Sequence, residues 1–259
     1  MRSFAAVVLF PLFSQAFAIS AEVREMPELA KCFEMEGVTG TFVLRDVEKD
    51  EVVVYQRERA STRYVPASTF KIPNSLIGLQ VGAVRDVEEV LPYGGGKQPI
   101  AAWEKDMNLR DAIRVSNVPV YQELARRIGL ERMAKNVRAL GYGNQEIGTV
   151  VDHFWLDGPL KISAIEQTEF LARLVQRKLP VDERAVAAVE VITLLERNER
   201  WSLHGKTGWQ PPIGWWVGWV KRGDRLSTFA LNMDIPKEAD APKRIVVGKA
   251  CLRALGVIE

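Results

Sequence analysis

Ser68 and Lys71, three residues apart in the segment Pro66–Lys71 (PASTFK), are the first pair in this chain whose types and spacing suit chemistry. On a helix, positions i and i+3 share a face, so the serine Oγ and the lysine Nζ can come within hydrogen-bond reach. A serine hydroxyl is a poor nucleophile until a base takes its proton. Lysine can be that base when burial lowers its pKa, and Phe70, Ile72 and Pro73 set apolar groups around Lys71. A helix N-terminus beside the serine adds partial positive charge that favours an oxyanion. Alone, S-x-x-K recurs by chance, and an exposed helix lysine explains it equally well.

Two further segments gain meaning only in company. Lys206-Thr207-Gly208 lies in strand-like sequence. Gly208 lets a substrate backbone approach the strand edge, while Lys206 and Thr207 offer a cation and a hydroxyl to a carboxylate; a basic strand end is the plain alternative. Ser116-Asn117-Val118 falls between two helical patterns, where a loop hydroxyl can pass a proton to a leaving nitrogen.

The elements that must position these groups follow from periodicity. Residues 40–57 hold two alternating apolar runs around the turn Glu48-Lys49-Asp50, a hairpin. Pro66 opens a helix toward Gly82, with Ser68 in its first turn. Leu91–Pro99 is a turn-rich loop. Apolar spacing of three and four predicts helices over 106–116 and 119–141, and further helices over about 163–178 and 182–196. Strand, strand, turn, strand and helix follow from Trp201 onward, with Arg222-Gly223-Asp224 as a tight turn. Strands at both ends with helices between them imply an α+β fold of three-layer α/β/α type. An antiparallel sheet is built from about 19–62 and 197–259, and a helical lobe from about 63–196 is inserted into it.

The chain has 259 residues, 47% hydrophobic and 26% charged, with a formal charge of +2. That near balance gives no reason to expect nucleic acid or an anionic membrane surface as partner. Residues 1–18 read as a signal peptide: Arg2, an apolar run from Phe4 to Phe13, and the small-residue box Ala16-Phe17-Ala18. Cleavage after Ala18 would leave a single catalytic domain over 19–259, exported and without membrane insertion. Cys32 and Cys251 fall in the first and last helical patterns and can pair only if those helices touch; two buried free thiols are the favoured reading. His153 and His204, far apart, lack the spacing of a metal site and read as structural. His204 shares a strand face with Lys206 by alternation.

Taken together, S-x-x-K, S-x-V and K-T-G in this order resemble the penicillin-recognising serine enzymes. Tyr142-Gly143-Asn144, Phe154-Trp155-Leu156, the run LPYGG before W-x-x-D-M-x-L-R-x-A-I, and GWWVGW after K-T-G narrow the resemblance to the class D (oxacillinase-type) β-lactamases, across essentially the whole mature chain. A class A enzyme would carry S-D-N and a glutamate base with an asparagine four residues on. Here Glu166 is followed at that distance by Phe170.

The resemblance implies hydrolysis of penicillin-type antibiotics in the periplasm through a Ser68 acyl-enzyme. It implies a Lys71 carboxylated by carbon dioxide (N6-carboxylysine) as general base, with no metal and no organic cofactor. Trp155 then matches the carbamate's partner, Ser116 the proton relay, and the backbone N–H groups of Ser68 and Trp209 the oxyanion hole. Arg244, with Lys243 as the alternative, matches the cation that joins Thr207 in binding the substrate carboxylate. Val118 and Leu156 match positions bordering the carbamate pocket. A monomer or weak homodimer is expected. A β-lactam sensor or a cell-wall transpeptidase shares these motifs; the signal peptide and the end at Glu259 favour the hydrolase. Alanine at Trp155 is expected to slow deacylation while leaving folding nearly intact.

Overall fold

Strand β1 (Glu22–Glu25) opens the described chain, residues 22–259 of the computed structural model, and pairs in parallel with β3 (Glu51–Tyr55). The signal peptide expected at 1–18 lies outside the described residues. The hairpin at Glu48-Lys49-Asp50 joins β2 (Gly40–Asp46) to β3 (Glu51–Tyr55) as its alternation predicts. Late in the chain come β4 (Leu194–Arg197), β5 (Ser202–Gln210), β6 (Ile213–Arg222) and β7 (Arg225–Asp234). The seven strands form one sheet in the order β1-β3-β2-β7-β6-β5-β4, antiparallel except for β1 with β3.

Period-two alternation gives this sheet two apolar faces. Phe42, Trp216, Phe229, Leu231 and Met233 point into one core, shared with α1 (Ala30–Glu34) and α9 (Lys243–Ala254). Val43, Trp215, Val217, Trp219 and Ala230 point into the other, which continues into the helical lobe. That lobe holds α3 (Lys71–Gln80), α4 (Leu109–Arg114), α5 (Val118–Ile128), α6 (Leu130–Leu140), α7 (Ala164–Val175) and α8 (Glu183–Thr193), reached through the short α2 (Arg57–Ser61). Helices on both faces of the sheet make the three layers. Helix α7 packs on β2 and β7, so the lobe is joined to the sheet along its length.

Three boundaries differ from the periodicity. The pattern over 119–141 is two helices, because Gly129 stands between them at φ +80°, a conformation foreign to helix interiors. The pattern over 182–196 stops at Thr193. Leu194–Arg197 gains hydrogen bonds by pairing with β5 (Leu194 opposite His204), and this tertiary pairing overrides a helical spacing. The Pro66 helix begins as a 3-10 turn, Ala67–Phe70, and becomes α-helical only at Lys71.

Cys32 on α1 and Cys251 on α9 are buried free thiols in the same core. Burial, reinforced by the neighbouring Cys32, pushes the Cys251 thiol well up, away from the reactive thiolate. No helix among the described residues is long and apolar enough to cross a membrane.

Candidate active site

The nucleophile sits on a braced turn. Ala67 has φ +48°, a left-handed conformation that costs a non-glycine residue energy and persists only where the surroundings enforce it. Four contacts do so. Thr69 Oγ1 donates to Pro66 O at 2.7 Å, and Gln167 Nε2, from α7, donates to Thr69 Oγ1 at 2.9 Å. Trp215 Nε1, from β6, donates to Val65 O at 2.9 Å. Strand β5 presses on the turn at Gly208, where a Cβ would stand 2.9 Å from Pro66 O and 3.1 Å from Thr69 N. Gly208 is therefore required by packing against the nucleophile's own turn, a reason the sequence motif does not reveal.

Lys71 is fully buried, and its Nζ donates to Ser68 Oγ at 3.0 Å. Among the described residues no carboxylate pairs with it; its ammonium faces the Tyr121 ring, 5.1 Å from the centroid. Desolvation alone lowers its pKa from 10.5 to about 7, so much of the amine is neutral near neutral pH. Because the unfolded chain keeps the ordinary pKa, the cost of burying the ammonium is fully present below pH 7. It fades between 7 and 10.5 and is absent above. At ~1.4 kcal/mol per pH unit the full cost is about 5 kcal/mol. Denaturant unfolding in carbon dioxide-free buffer should show Lys71→Met more stable than the parent at pH 6 by several kcal/mol, with the gap closing by pH 10. A gap independent of pH would mean that Lys71 is not buried as a cation.

Trp155 is fully buried, stacked on Phe70 (5.6 Å between centroids, 22°) and edge-on to Phe154. Its indole Nε1 has no hydrogen-bond partner among the described residues. An unpaired buried donor costs about 1–3 kcal/mol, and an indole N–H can serve only an acceptor. Phe70, on which Trp155 stacks, directly precedes Lys71, so the orphan donor and the half-neutral amine both adjoin Phe70.

Above Ser68, which is 9% exposed, opens a cleft of about 640 Å³. Ser116, Val118, Leu156, Thr207, Gly208, Trp209 and Arg244 line it. Ser116 stands in the α4–α5 turn at φ +56°. Arg244 is half-buried in the first turn of α9; its Nη1 donates to Gly208 O at 3.0 Å, and its Nε has no partner among the described residues. Burial lowers its pKa to about 10. The alternative, Lys243, is engaged by Asp240 at 3.0 Å and lies outside the cleft, so of the two it is Arg244 that lines the cleft.

Lys206 sits beneath the cleft surface. It is 5% exposed and its Nζ donates to Thr207 O at 2.9 Å, so from the motif the cleft receives Thr207 and Gly208 but not the ammonium. Burial first, then the charges of Lys71 and Arg244, lower its pKa strongly.

Of the two histidines, His153 is exposed at the cleft rim, with Nδ1 3.2 Å from an Asp152 oxygen. His204 stacks on Trp219, 4.8 Å between centroids, and lines a separate cavity with Glu190 and Arg197. Strand alternation puts it on the face of Lys206 but too far along β5 to meet the cleft. Glu166 completes the capping box of α7 with Ser163 and pairs with Arg63, away from Ser68. Among the described residues no three His, Cys, Asp or Glu side chains are grouped to hold a metal.

Trp103, Arg114, Gln210 and Glu238 also line the cleft. Trp103 and Glu238 lie in short 3-10 turns that carry no periodic signal, whereas Arg114 ends α4 and Gln210 ends β5. Only the tryptophan in W-x-x-D-M marked that segment.

Comparison with known proteins agrees with this geometry. Residues 40–252 match the family model described as the penicillin binding protein transpeptidase domain. The chain is 39% identical to β-lactamase OXA-5 of Pseudomonas aeruginosa, over 100% of this chain and 99% of that one. It is 41% identical to β-lactamase OXA-48 of Klebsiella pneumoniae, over 93% and 92% of the respective chains. Its fold matches the crystal structure of FUS-1 (OXA-85), a class D β-lactamase from Fusobacterium nucleatum subsp. polymorphum, with a TM-score of 0.88 and 45% identity over 91% of this chain and 100% of that one. Sequence and fold agree along nearly the entire described chain, and on that footing it belongs to the class D serine β-lactamases.

Proposed function

We propose that Ser68 and Lys71 carry the hydrolysis of penicillin-type β-lactams in two steps. The reaction itself, β-lactam hydrolysis by a serine enzyme, is that of the class D family to which the chain belongs. The single observation that carries the residue assignment is the buried, uncompensated Lys71 Nζ 3.0 Å from Ser68 Oγ.

A carboxyl group taken from carbon dioxide or bicarbonate supplies Lys71 with an anionic general base, held by the Trp155 indole N–H. Ser68 gives up its hydroxyl proton toward the Lys71 side chain, and Oγ bonds to the lactam carbonyl carbon. The backbone N–H groups of Ser68 and Trp209 take the developing oxyanion, worth about 3–4 kcal/mol per donor in comparable hydrolases. Ser116 passes a proton to the ring nitrogen as the C–N bond breaks. Arg244 and Thr207 hold the substrate carboxylate, for which a guanidinium fork is suited. Val118 and Leu156, half-buried in the cleft wall, limit water around Lys71. In the second step a water gives its proton toward Lys71, attacks the ester and frees Ser68. The scheme calls on no metal and no organic cofactor. We place the mature protein, after cleavage at Ala18, in the periplasm as a monomer or weak homodimer, on the signal-peptide pattern and the near-neutral charge.

A chromogenic cephalosporin mixed with the purified protein tests the reading. Many turnovers per enzyme are expected. A single stoichiometric adduct would instead make the chain a sensor.

A further inference from the structure

Trp103 closes a short 3-10 turn, Ala101–Trp103, on the wall of the cleft, and it does more there than supply an apolar surface. Its indole Nε1 donates to Val115 O at 2.9 Å, and its own backbone O accepts from Asn117 Nδ2 at 3.3 Å. The two bonds grip the residues on either side of Ser116.

Ser116 needs a grip. Its φ of +56° lies in the left-handed region, which a serine holds only when its neighbours fix it there. On the α5 side the fixing is evident. Asn117 is fully buried, its Oδ1 accepts from Val120 N at 3.0 Å, and its Nδ2 also reaches Met107 Sδ at 3.6 Å. On the α4 side, Val115 N, Ser116 N and Asn117 N donate back to Asp111 O, Ile113 O and Ala112 O and close the helix, while the Val115 side chain is 39% exposed and offers no anchor. The Trp103 indole adds a side-chain anchor from the cleft wall through the Val115 carbonyl.

We infer that Trp103 is a positioning residue for Ser116: its indole N–H holds the α4–α5 turn in the conformation that aims the Ser116 hydroxyl at the leaving nitrogen. The inference rests on the relay role proposed for Ser116. A wall needs only an apolar ring, whereas a clamp needs the N–H, so Trp103→Phe separates the two. Because Ser116 serves ring opening, the defect belongs to acylation.

The experiment is single-turnover acylation by a chromogenic cephalosporin at saturating bicarbonate. It compares the parent, Trp103→Phe, Ser116→Ala and the double variant, with melting temperatures recorded for each. Trp103→Phe is expected to slow acylation about tenfold, the worth of one lost hydrogen bond, with deacylation unchanged. In the Ser116→Ala background the same change is expected to alter acylation by less than about twofold, since groups acting through one another are non-additive. An equal slowing with and without the Ser116 hydroxyl would show that Trp103 meets the substrate directly; the inference then fails while the relay stands. A Ser116→Ala variant that acylates at the parental rate removes the relay, and the inference with it. One readout needs no variant: in the parent, the Trp103 indole proton is expected to be protected from solvent exchange. Exchange at the rate of a free indole overturns the clamp.

Discussion

Lys71→Ala is expected to lose turnover of a chromogenic cephalosporin by about 10²–10⁴-fold, the range for removal of a general base, and to lose acylation and deacylation together. The parent enzyme, first depleted of carbon dioxide, is expected to regain its rate when bicarbonate is added; the variant is not. The sign of the pH effect follows from the buried amine. Carbon dioxide adds only to the neutral form, and the pKa of about 7 makes that form scarce on the acid side. The bicarbonate response therefore weakens as pH falls through 7, and raising bicarbonate moves the acid limb of activity to lower pH by mass action. Equal parental rates with and without bicarbonate, across this range, would remove the carboxylated lysine from the mechanism and leave the free amine as base.

Trp155→Phe is the second large effect. The sequence reading expects alanine here to leave folding nearly intact, and the structure corrects that. Trp155 has no exposed surface and stacks against Phe70 and Phe154, so alanine would leave a cavity costing about 3–5 kcal/mol. Phenylalanine keeps most of the packing and deletes the orphan N–H. In carbon dioxide-free buffer its melting temperature should match or exceed the parent's, because an unpaired buried donor is gone. In limiting bicarbonate, deacylation should fall about 10–100-fold, the cost of losing a hydrogen bond to a charged group. The deficit should shrink as bicarbonate rises. Parental deacylation at low bicarbonate would return Trp155 to core packing.

Both variants probe residues that the sequence exposes to very different degrees. Ser68 and Lys71 were legible because i, i+3 spacing is a local geometric fact, and apolar flanks foretell burial. The hairpin and the β5–β7 strands were legible through alternation, which one sheet with two apolar faces enforces. Trp155 was legible only by resemblance, since a tryptophan between apolar residues looks the same whether or not its N–H is satisfied. Lys206 was legible only in part. The motif places a cation beside Thr207, yet which way it faces depends on pleat and on β5 running against the Ser68 turn. The β4 strand and the Trp103 clamp were not legible, because each depends on a partner distant in sequence or lying in an irregular loop.

The depth of Lys206 has a consequence for what happens when drug arrives. Burial is the largest cause of its lowered pKa, and the Arg244 guanidinium adds to it. Its proton is therefore loosely held, and an anion seated nearby favours keeping it. An antibiotic bearing a carboxylate should thus draw protons onto the protein as it docks, and its heat of binding should vary with the ionisation enthalpy of the buffer.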